Sequence, residues 1–99
     1  KGRLMKRVEI VANKSVQQDL LDVLDAAVPG IYYTVIPDVQ GRGRQGVRMG
    51  DDIWPEKNFM VLIFCNRETS EHVEKAVCHV KKDYPYEGIK LFVSDASTA

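Results

Sequence analysis

The sequence predicts an α+β sandwich in which an antiparallel sheet packs two helices on one face, with the elements in the order βαββαβ. Two observations predict this fold class. Four segments have the composition or the alternation of strands, and two segments between them repeat apolar residues at helical spacing. The length of 99 residues and the apolar fraction of 44% fit a single domain over residues 1–99.

The first strand and the first helix are predicted in the N-terminal third of the chain. Residues 6–11 alternate between apolar and charged side chains, which is typical of a strand with one buried face. Ser15 is the expected N-cap of the helix that follows, because Gln18 stands three residues later and completes a capping box. Pro29 and Gly30 end this helix. Its apolar stripe is predicted at Val16, Leu20, Val23, Leu24 and Ala27.

The second and third strands differ in pattern. Residues 31–39 are rich in β-branched and aromatic side chains and predict the second strand, in which Pro37 indicates a sheet edge or a bulge. Residues 59–65 predict the third strand and are apolar at every position. Because the side chains of a strand alternate between the two faces of a sheet, both faces need cover at this strand.

The second helix and the last strand complete the order. Thr69 and Ser70 are the N-cap candidates of the helix, and Pro85 ends it. Residues 88–93 predict the last strand, and residues 94–99 are expected to form a polar tail. The apolar stripe of the second helix is predicted at Val73, Ala76, Val77, Val80 and Tyr84.

This order of elements is the ferredoxin-like arrangement. Both helices lie on one face of such a sheet, and the other face stays open. Since the third strand is apolar on both sides, the open face is predicted to be apolar as well. We therefore expect an oligomer in which copies of the chain bury this second face.

Composition and charge argue against several classes of protein. The formal net charge is zero, from 14 basic and 14 acidic residues, whereas nucleic-acid-binding domains are usually basic. No apolar run approaches the roughly 20 residues of a membrane helix, and no secretory signal precedes the first strand. Cys65 and Cys78 form no CxxC pair and are expected to be reduced thiols. We expect a cytoplasmic protein that binds no nucleic acid and does not insert into a membrane.

The most unusual segment lies between the second and third strands. Residues 40–58 lack clear periodicity, and residues 40–50 contain three arginines and no acidic residue. Glycine lets a backbone approach a ligand closely, and guanidinium groups among free N–H groups suit an anion such as phosphate or carboxylate. A solvated hairpin loop is the alternative. The glycines and arginines of this segment are Gly41, Arg42, Gly43, Arg44, Gly46, Arg48 and Gly50.

Other chemistries have weaker support. The acidic residues are scattered, and we predict that the chain is not an enzyme. The third strand lacks the basic and glycine start of an RNA-recognition motif, and the loop after the first strand lacks the CxxC of ferredoxin-like metallochaperones. His72 and His79 lie seven residues apart on the second helix and are expected at its surface. The alternative is a metal site that they form with Cys65 or with the loop acids Asp51 and Asp52.

Three segments together resemble the nitrogen-regulatory PII signalling family, namely residues 5–11, 34–35 and 39–46. The hallmark of that family is a strand that runs into V-x-G-x-G-R-Q at the base of a long loop, the T-loop. The order of strands and helices matches as well, so the resemblance covers residues 5–93. The matching motif positions are Val39, Gly41, Gly43, Arg44 and Gln45.

The resemblance implies a regulatory homotrimer that takes part in signalling and nitrogen regulation. Members of the family pack their open sheet faces together, bind adenine nucleotides in clefts between subunits, and dock the loop on target proteins such as enzymes. Residues 40–58 correspond to the T-loop. By resemblance, one wall of the cleft and the loop hinge lie at Gly41, Gly43, Arg44 and Gln45. With Arg42 and Arg48, these are the predicted ligand-binding residues.

The loop also departs from that of typical members. It is several residues shorter and contains no tyrosine, the residue that typical members modify. Ile53 and Trp54 stand there instead and are predicted to contact a partner protein, since tryptophan is over-represented at binding hot spots. Packing of Trp54 onto its own trimer is the alternative.

Two phosphate-binding features of the family are replaced as well. Residues 81–88 stand where the family has T-G-x-x-G-D-G-K, and residues 94–99 contain no arginine. Among adenine nucleotides, AMP or ADP is therefore easier to accommodate than ATP bound in the usual way, and bicarbonate is a further candidate. Trimeric CutA-like proteins share the architecture, so that a metal-binding or metal-responsive CutA-like trimer is the alternative function.

Overall fold

The computed structural model describes residues 3–41 and 56–99. Within these ranges the chain forms four strands and two α-helices, and a 3-10 turn at Lys14–Val16 precedes the first helix. The predicted order of elements is confirmed. The strands are β1 (Leu4–Asn13), β2 (Thr34–Gly41), β3 (Glu56–Cys65) and β4 (Ile89–Ser97), and the helices are α1 (Gln17–Ala27) and α2 (Arg67–Asp83).

The strands form one antiparallel sheet with the spatial order β2-β3-β1-β4. Because β1 lies between β3 and β4, Ile10 opposes both Val61 and Leu91. All three side chains belong to or pack against the core between the sheet and the helices. The α+β, ferredoxin-like fold class is therefore confirmed, and β3, the strand with two apolar faces, is a central strand.

The core lies between one face of the sheet and both helices. Burying each large apolar side chain there contributes about 1.5–3 kcal/mol. The predicted apolar stripes of the helices are confirmed, except that Ala27 is exposed at the end of α1. No helix in the described ranges is long and apolar enough to cross a membrane. The largest fully buried side chains are Phe59, Ile10, Leu20, Leu24, Ile63, Val8, Val16, Val61, Val73 and Val77.

Asparagine residues cap the 3-10 turn and α2, and α1 follows Val16 without a side-chain cap, so the predicted N-caps Ser15, Thr69 and Ser70 are wrong. The Oδ1 atom of Asn13 accepts the N–H of Ser15 at 2.9 Å and caps the 3-10 turn. The Oδ1 atom of Asn66 accepts the N–H of Thr69 at 2.8 Å and caps α2. Each asparagine stands at the end of a strand with extended backbone, which is the conformation that an N-cap requires.

The second strand starts later than predicted. β2 begins at Thr34, not at Ile31, because the N–H of Ile31 donates to the Val28 carbonyl at 3.0 Å and closes a turn. The predicted effect of Pro37 is confirmed, since β2 is an edge strand whose register with β3 shifts across residues 36–39. Proline donates no backbone hydrogen bond, and an edge or a bulge tolerates that loss.

The last strand is longer than predicted, and the polar tail expected at residues 94–99 is wrong over its first part. β4 continues to Ser97 because β1 begins as early as Leu4 and offers β4 a partner over this whole length. Residues 4–7 of β1 pair there with residues 94–97 of β4. Backbone groups form this ladder, so polar side chains on both sides of the strand did not reveal it.

The sheet face opposite the helices is apolar and partly exposed in the single chain. We call it the open face; its apolar side chains include Val11, Ile36, Met60, Leu62, Phe64 and Phe92. Phe64 is 49% exposed and Phe92 is 56% exposed. The predicted second apolar face is present, and grouped apolar side chains of this kind are typical of interaction surfaces.

Candidate functional site

The candidate ligand-binding site begins where β2 and β3 enter the glycine-rich segment. Both ends of residues 40–58, which were expected to lack periodic structure, belong to strands. Gln40 opposes Lys57, and Gly41 opposes Glu56 in the antiparallel ladder. The chain therefore leaves the sheet at Gly41 and returns at Glu56, and the paired strands hold these two points side by side.

Gly41 lies against the side chain of Asn58. A Cβ atom added at Gly41 would stand 2.9 Å from the Nδ2 atom of Asn58, which is closer than real Cβ contacts. Asn58 is only 5% exposed, so its amide has little room to move away. At Gly41, close packing against the Asn58 side chain favours glycine, and no positive φ is involved.

Asn58 was not singled out by the sequence, which placed it at the end of the irregular segment. In the sheet it opposes Val39 on one side and Asn13 on the other. Asn13 in turn caps the 3-10 turn that leads into α1. The base of the loop is thus connected through two asparagines to the start of the first helix. In the sequence, the one signal for Asn58 was its position directly before the apolar run of residues 59–65.

An ion pair also lies at the end of the sheet where the loop begins. The Nζ atom of Lys14, in the 3-10 turn, contacts Oδ1 of Asp38 on β2. The Lys14 side chain is 36% exposed and that of Asp38 is 81% exposed, so the pair is screened by solvent and contributes little to stability. Its role is local, because it links β2 near the loop base to the turn after β1.

Of the predicted ligand-binding residues, Gly41 is the one that the described ranges include. The other candidates lie outside the described residues and stay predictions. They are Arg42, Gly43, Arg44, Gln45 and Arg48 for the ligand, and Ile53 and Trp54 for a partner protein.

The turn between α2 and β4 lies at the same end of the sheet as the loop base. Ala12, near the end of β1, opposes Phe59 of β3 and Ile89 of β4. The loop base therefore lies on the β3 side of β1, and the α2–β4 turn lies on its β4 side. The hydroxyl of Tyr84 donates to Oδ2 of Asp19 and ties α2 to α1. This hydrogen bond to a carboxylate raises the pKa of Tyr84 above its usual 10.0. Tyr86 in the turn is 91% exposed.

The geometry lends no support to the alternative metal site within the described ranges. Nε2 of His72 lies 3.9 Å from Oε1 of Glu68 on the exposed side of α2, and His79 is also exposed. Cys65 packs against the core, and burial raises the pKa of its thiol, which disfavours the thiolate that binds metals. Over residues 3–41 and 56–99, no three His, Cys, Asp or Glu side chains are grouped closely enough to hold a metal ion. Asp51 and Asp52 lie outside these ranges.

Comparison with known proteins identifies the family. The family model of nitrogen regulatory protein P-II matches residues 5–99. A search of curated proteins by sequence finds no significant match. The structural similarity is much clearer than the sequence similarity, as expected for a fold that tolerates extensive substitution.

Similar solved structures cover nearly the whole chain. CPII of Thiomonas intermedia K12, a nitrogen regulatory PII-like protein bound to ADP, AMP and bicarbonate, matches with a TM-score of 0.76 and 18% identity over 100% of this chain and 97% of that chain. The apo form of CPII matches with a TM-score of 0.65 and 15% identity over 100% and 98%. The GlnK–ATP complex of B. subtilis matches with a TM-score of 0.69 and 20% identity over 94% and 82%.

The chain shares its fold with these structures over nearly its full length. It belongs to the nitrogen regulatory protein P-II family, as a divergent PII-like member.

Proposed function

We propose that the protein is a PII-like regulatory homotrimer that binds an adenine nucleotide between its subunits and controls a partner protein through the segment between β2 and β3. The observation that carries this proposal is the family match over residues 5–99. Similar proteins with solved structures include CPII bound to ADP, AMP and bicarbonate, and GlnK in complex with ATP. The proposed role is regulatory rather than catalytic, and the proposed location is the cytoplasm.

The effector that we favour is AMP or ADP. CPII, which has a similar fold, is described as bound to ADP, AMP and bicarbonate. Residues 81–88 replace the family's second phosphate-binding loop, which favours a nucleotide with fewer phosphates than ATP. Bicarbonate is proposed as a second small ligand at the same cleft.

The proposed mechanism links the ligand to the loop through its base. A phosphate would bind the guanidinium groups of Arg42, Arg44 or Arg48, because charge-assisted bidentate hydrogen bonds are strong. Gln45 would help to orient the nucleotide. Since paired strands hold Gly41 beside Asn58, a ligand at the next residues would change the direction in which the loop leaves the sheet. Loop residues Ile53 and Trp54 would then supply an apolar anchor for the partner.

The open face supports the proposed homotrimer. Burying apolar surface contributes roughly 25 cal/mol for each Å² removed from water, so an assembly that covers this face gains stability. Val11, Met60 and Leu62 are half-buried at the centre of the face, and Phe64 and Phe92 are exposed beside them. A cleft between subunits then forms where the edge of one sheet meets its neighbour.

A thermal-shift screen tests the function directly. A ligand that binds only the folded protein raises the unfolding midpoint with its saturation. We expect AMP or ADP to raise the midpoint, Arg44→Ala to remove that shift, and Lys75→Ala, a matched change on the exposed side of α2, to retain it. ATP, cyclic AMP, bicarbonate and divalent metals complete the screen.

The outcomes separate the two candidate functions. A shift with a metal ion alone would move the assignment to a metal-responsive CutA-like trimer. An Arg44→Ala variant that keeps its full nucleotide shift would contradict the proposed phosphate contact and favour a solvated hairpin loop. The absence of any nucleotide shift in the wild-type protein would contradict the nucleotide-sensor proposal itself.

A further inference from the structure

The open face contains a pair of opposite charges among its apolar side chains. Arg7 and Glu9 both point to this face, because residues two apart on a strand share a side. The Nη2 atom of Arg7 lies 2.7 Å from Oε1 of Glu9. Across β1, Arg7 opposes Phe64 and Glu9 opposes Leu62. The guanidinium carbon of Arg7 is 5.9 Å from the centroid of the Phe64 ring, which suits a cation–π contact.

This pair retains unused hydrogen-bonding capacity. A guanidinium group has five N–H donors and a carboxylate has two acceptor oxygens, and the intrachain contact joins one donor nitrogen to one oxygen. The Arg7 side chain is 42% exposed and that of Glu9 is 30% exposed, so both can reach a further partner. A purely apolar surface laid over them would remove water from both charges and leave their single mutual contact as the only compensation.

A second copy of this chain has the groups that both charges need. It presents the same apolar surface together with the same arginine and the same carboxylate, two residues apart on one strand. In a closed cyclic assembly, each copy can offer its arginine to one neighbour and its carboxylate to the other. Lys90 also lies on this face, opposite Val11 at its margin, and is exposed to solvent. The charge pattern thus favours a self-complementary contact over contact with an unrelated apolar partner.

We propose that Arg7 and Glu9 form ion pairs between neighbouring copies of the chain on the open face, and that these pairs select which subunits assemble together. The inference rests on the proposed homotrimer and adds a reason why the trimer selects copies of its own chain. Charges opposed by like charges penalise a wrong subunit more strongly than apolar contacts do. A cell that holds a related trimeric protein would then keep the two assemblies separate.

Exchange of subunits between a charge-swapped variant and the wild type tests this proposal. The double variant Arg7→Glu/Glu9→Arg keeps an opposite pair within each chain and reverses the charges that it presents to a neighbour. Wild-type protein labelled with ¹⁵N is mixed with the unlabelled variant, and the trimers are counted by native mass spectrometry. We expect each form to assemble with itself. Mixed trimers should be at least about tenfold rarer than the statistical proportion, which corresponds to a free-energy penalty of about 1.4 kcal/mol for mixing.

A matched control comes from the other side of the same strand. Lys6 and Asp95 form an ion pair between β1 and β4 on the sheet face that the helices cover. The double variant Lys6→Asp/Asp95→Lys reverses this pair in the same way. It is expected to form mixed trimers with the wild type in the statistical proportion, because these charges do not lie on the open face.

Two results would overturn the inference. If the Arg7→Glu/Glu9→Arg variant forms mixed trimers with the wild type in the statistical proportion, then Arg7 and Glu9 pair only within one chain. A wild-type protein that stays monomeric at every concentration would exclude a second copy as the occupant of the open face. Neither readout depends on ligand, so failure here is distinguishable from failure of nucleotide binding, which the thermal-shift screen measures separately. Circular dichroism of each variant verifies that it is folded.

Discussion

At the scale of single residues, the contact between Gly41 and Asn58 is the most specific feature of the loop base. The missing Cβ atom of Gly41 leaves the space that the Asn58 amide occupies. Gly88, in the α2–β4 turn, has no heavy atom within 4 Å of the position that a Cβ atom would take. The two glycines therefore differ in purpose, although both stand next to segments that typical members use for phosphate binding.

Gly41→Ala is expected to destabilise the protein by about 1–3 kcal/mol, the usual cost of forcing extra atoms into a packed site. Gly88→Ala serves as the control and should be close to neutral, because its new methyl group meets open space. Urea unfolding at a fixed protein concentration measures both. If the contact is the cause, Asn58→Ala should reduce the cost of Gly41→Ala in a double-mutant cycle. Equal effects at both glycines would contradict this explanation.

The ion pair of Lys6 and Asp95 makes the free energy of unfolding depend on pH in the acidic range. The hydrogen bond and the charge of Lys6 hold the pKa of the Asp95 carboxyl below its usual 3.8. The folded state therefore favours the ionised carboxylate. This stabilisation is present above the usual pKa and is lost as the pH falls through the lower pKa of the folded state.

Asp95→Asn should therefore flatten the fall in unfolding free energy on acidification below about pH 4. Lys6→Met should produce a similar flattening, since it removes the cause of the shift, and the two changes together should not add. Urea unfolding between pH 2 and pH 7 provides the measurement. A variant whose acid dependence equals that of the wild type would show that the pair has no energetic role in solution.

At the scale of elements, asparagines at the strand ends cap the 3-10 turn and α2. Asn66 follows β3 directly, keeps extended backbone, and accepts the N–H of Thr69. The connection from strand to helix is consequently one residue long. Such a short connection fixes the direction of α2 relative to the sheet and brings Val73 and Val77 over the core.

Asn66→Ala is expected to cost about 1 kcal/mol, the usual effect of losing an N-cap. Thr69→Ala is the matched control, because it keeps the backbone N–H that Asn66 accepts and removes only a side chain that caps nothing. Its expected effect is below about 0.5 kcal/mol. Thermal or urea unfolding compares the two. If Thr69→Ala lowers the free energy of unfolding more than Asn66→Ala does, then Thr69 is the cap.

At the scale of the whole molecule, the sheet separates two apolar regions with different purposes. One face forms the core with the helices, and the open face stays available for assembly. β3 contributes to both, with Val61 and Ile63 in the core and Leu62 on the open face. This division explains why the strand is apolar at successive positions.

If the proposed homotrimer forms through the open face, Leu62→Glu should raise its dissociation constant at least about tenfold, because the change places a charge on that face. The fold should persist, since Leu62 lies outside the buried core. Sedimentation equilibrium measures the mass, and circular dichroism verifies the secondary structure. Lys75→Glu, on the exposed side of α2, is the control and should keep the mass of the wild type. An unchanged mass for Leu62→Glu would exclude the open face as the interface.

Much of the fold follows from patterns within single segments. Alternation along β1, helical spacing along α1 and α2, and the continuous apolar run of β3 depend on neighbouring residues only, so they are visible without tertiary structure. The fold class and the P-II family follow from these patterns and from the V-x-G-x-G-R-Q motif. The position of Pro37 at an edge bulge also follows, because proline lacks the N–H that a central strand needs.

Other features depend on residues that are distant in sequence. The extension of β4 to Ser97 exists because the first residues of β1, from Leu4 onward, offer a backbone partner for polar residues. The same holds for the contact of Asn58 with Gly41, and for the choice of Asn13 and Asn66 as caps, which requires knowing where the strands end.

The sequence by itself thus determined the order of the elements, the two apolar faces of β3 and the family of the chain. The tertiary structure alone decided which side chains share the open face. Only the pairing of β1 with β3 and β4 shows that Arg7 and Glu9 stand in the midst of Leu62, Phe64 and Phe92. Local periodicity is encoded within a few residues, whereas the neighbours of a side chain across a sheet are set by the register of strands that are distant along the chain.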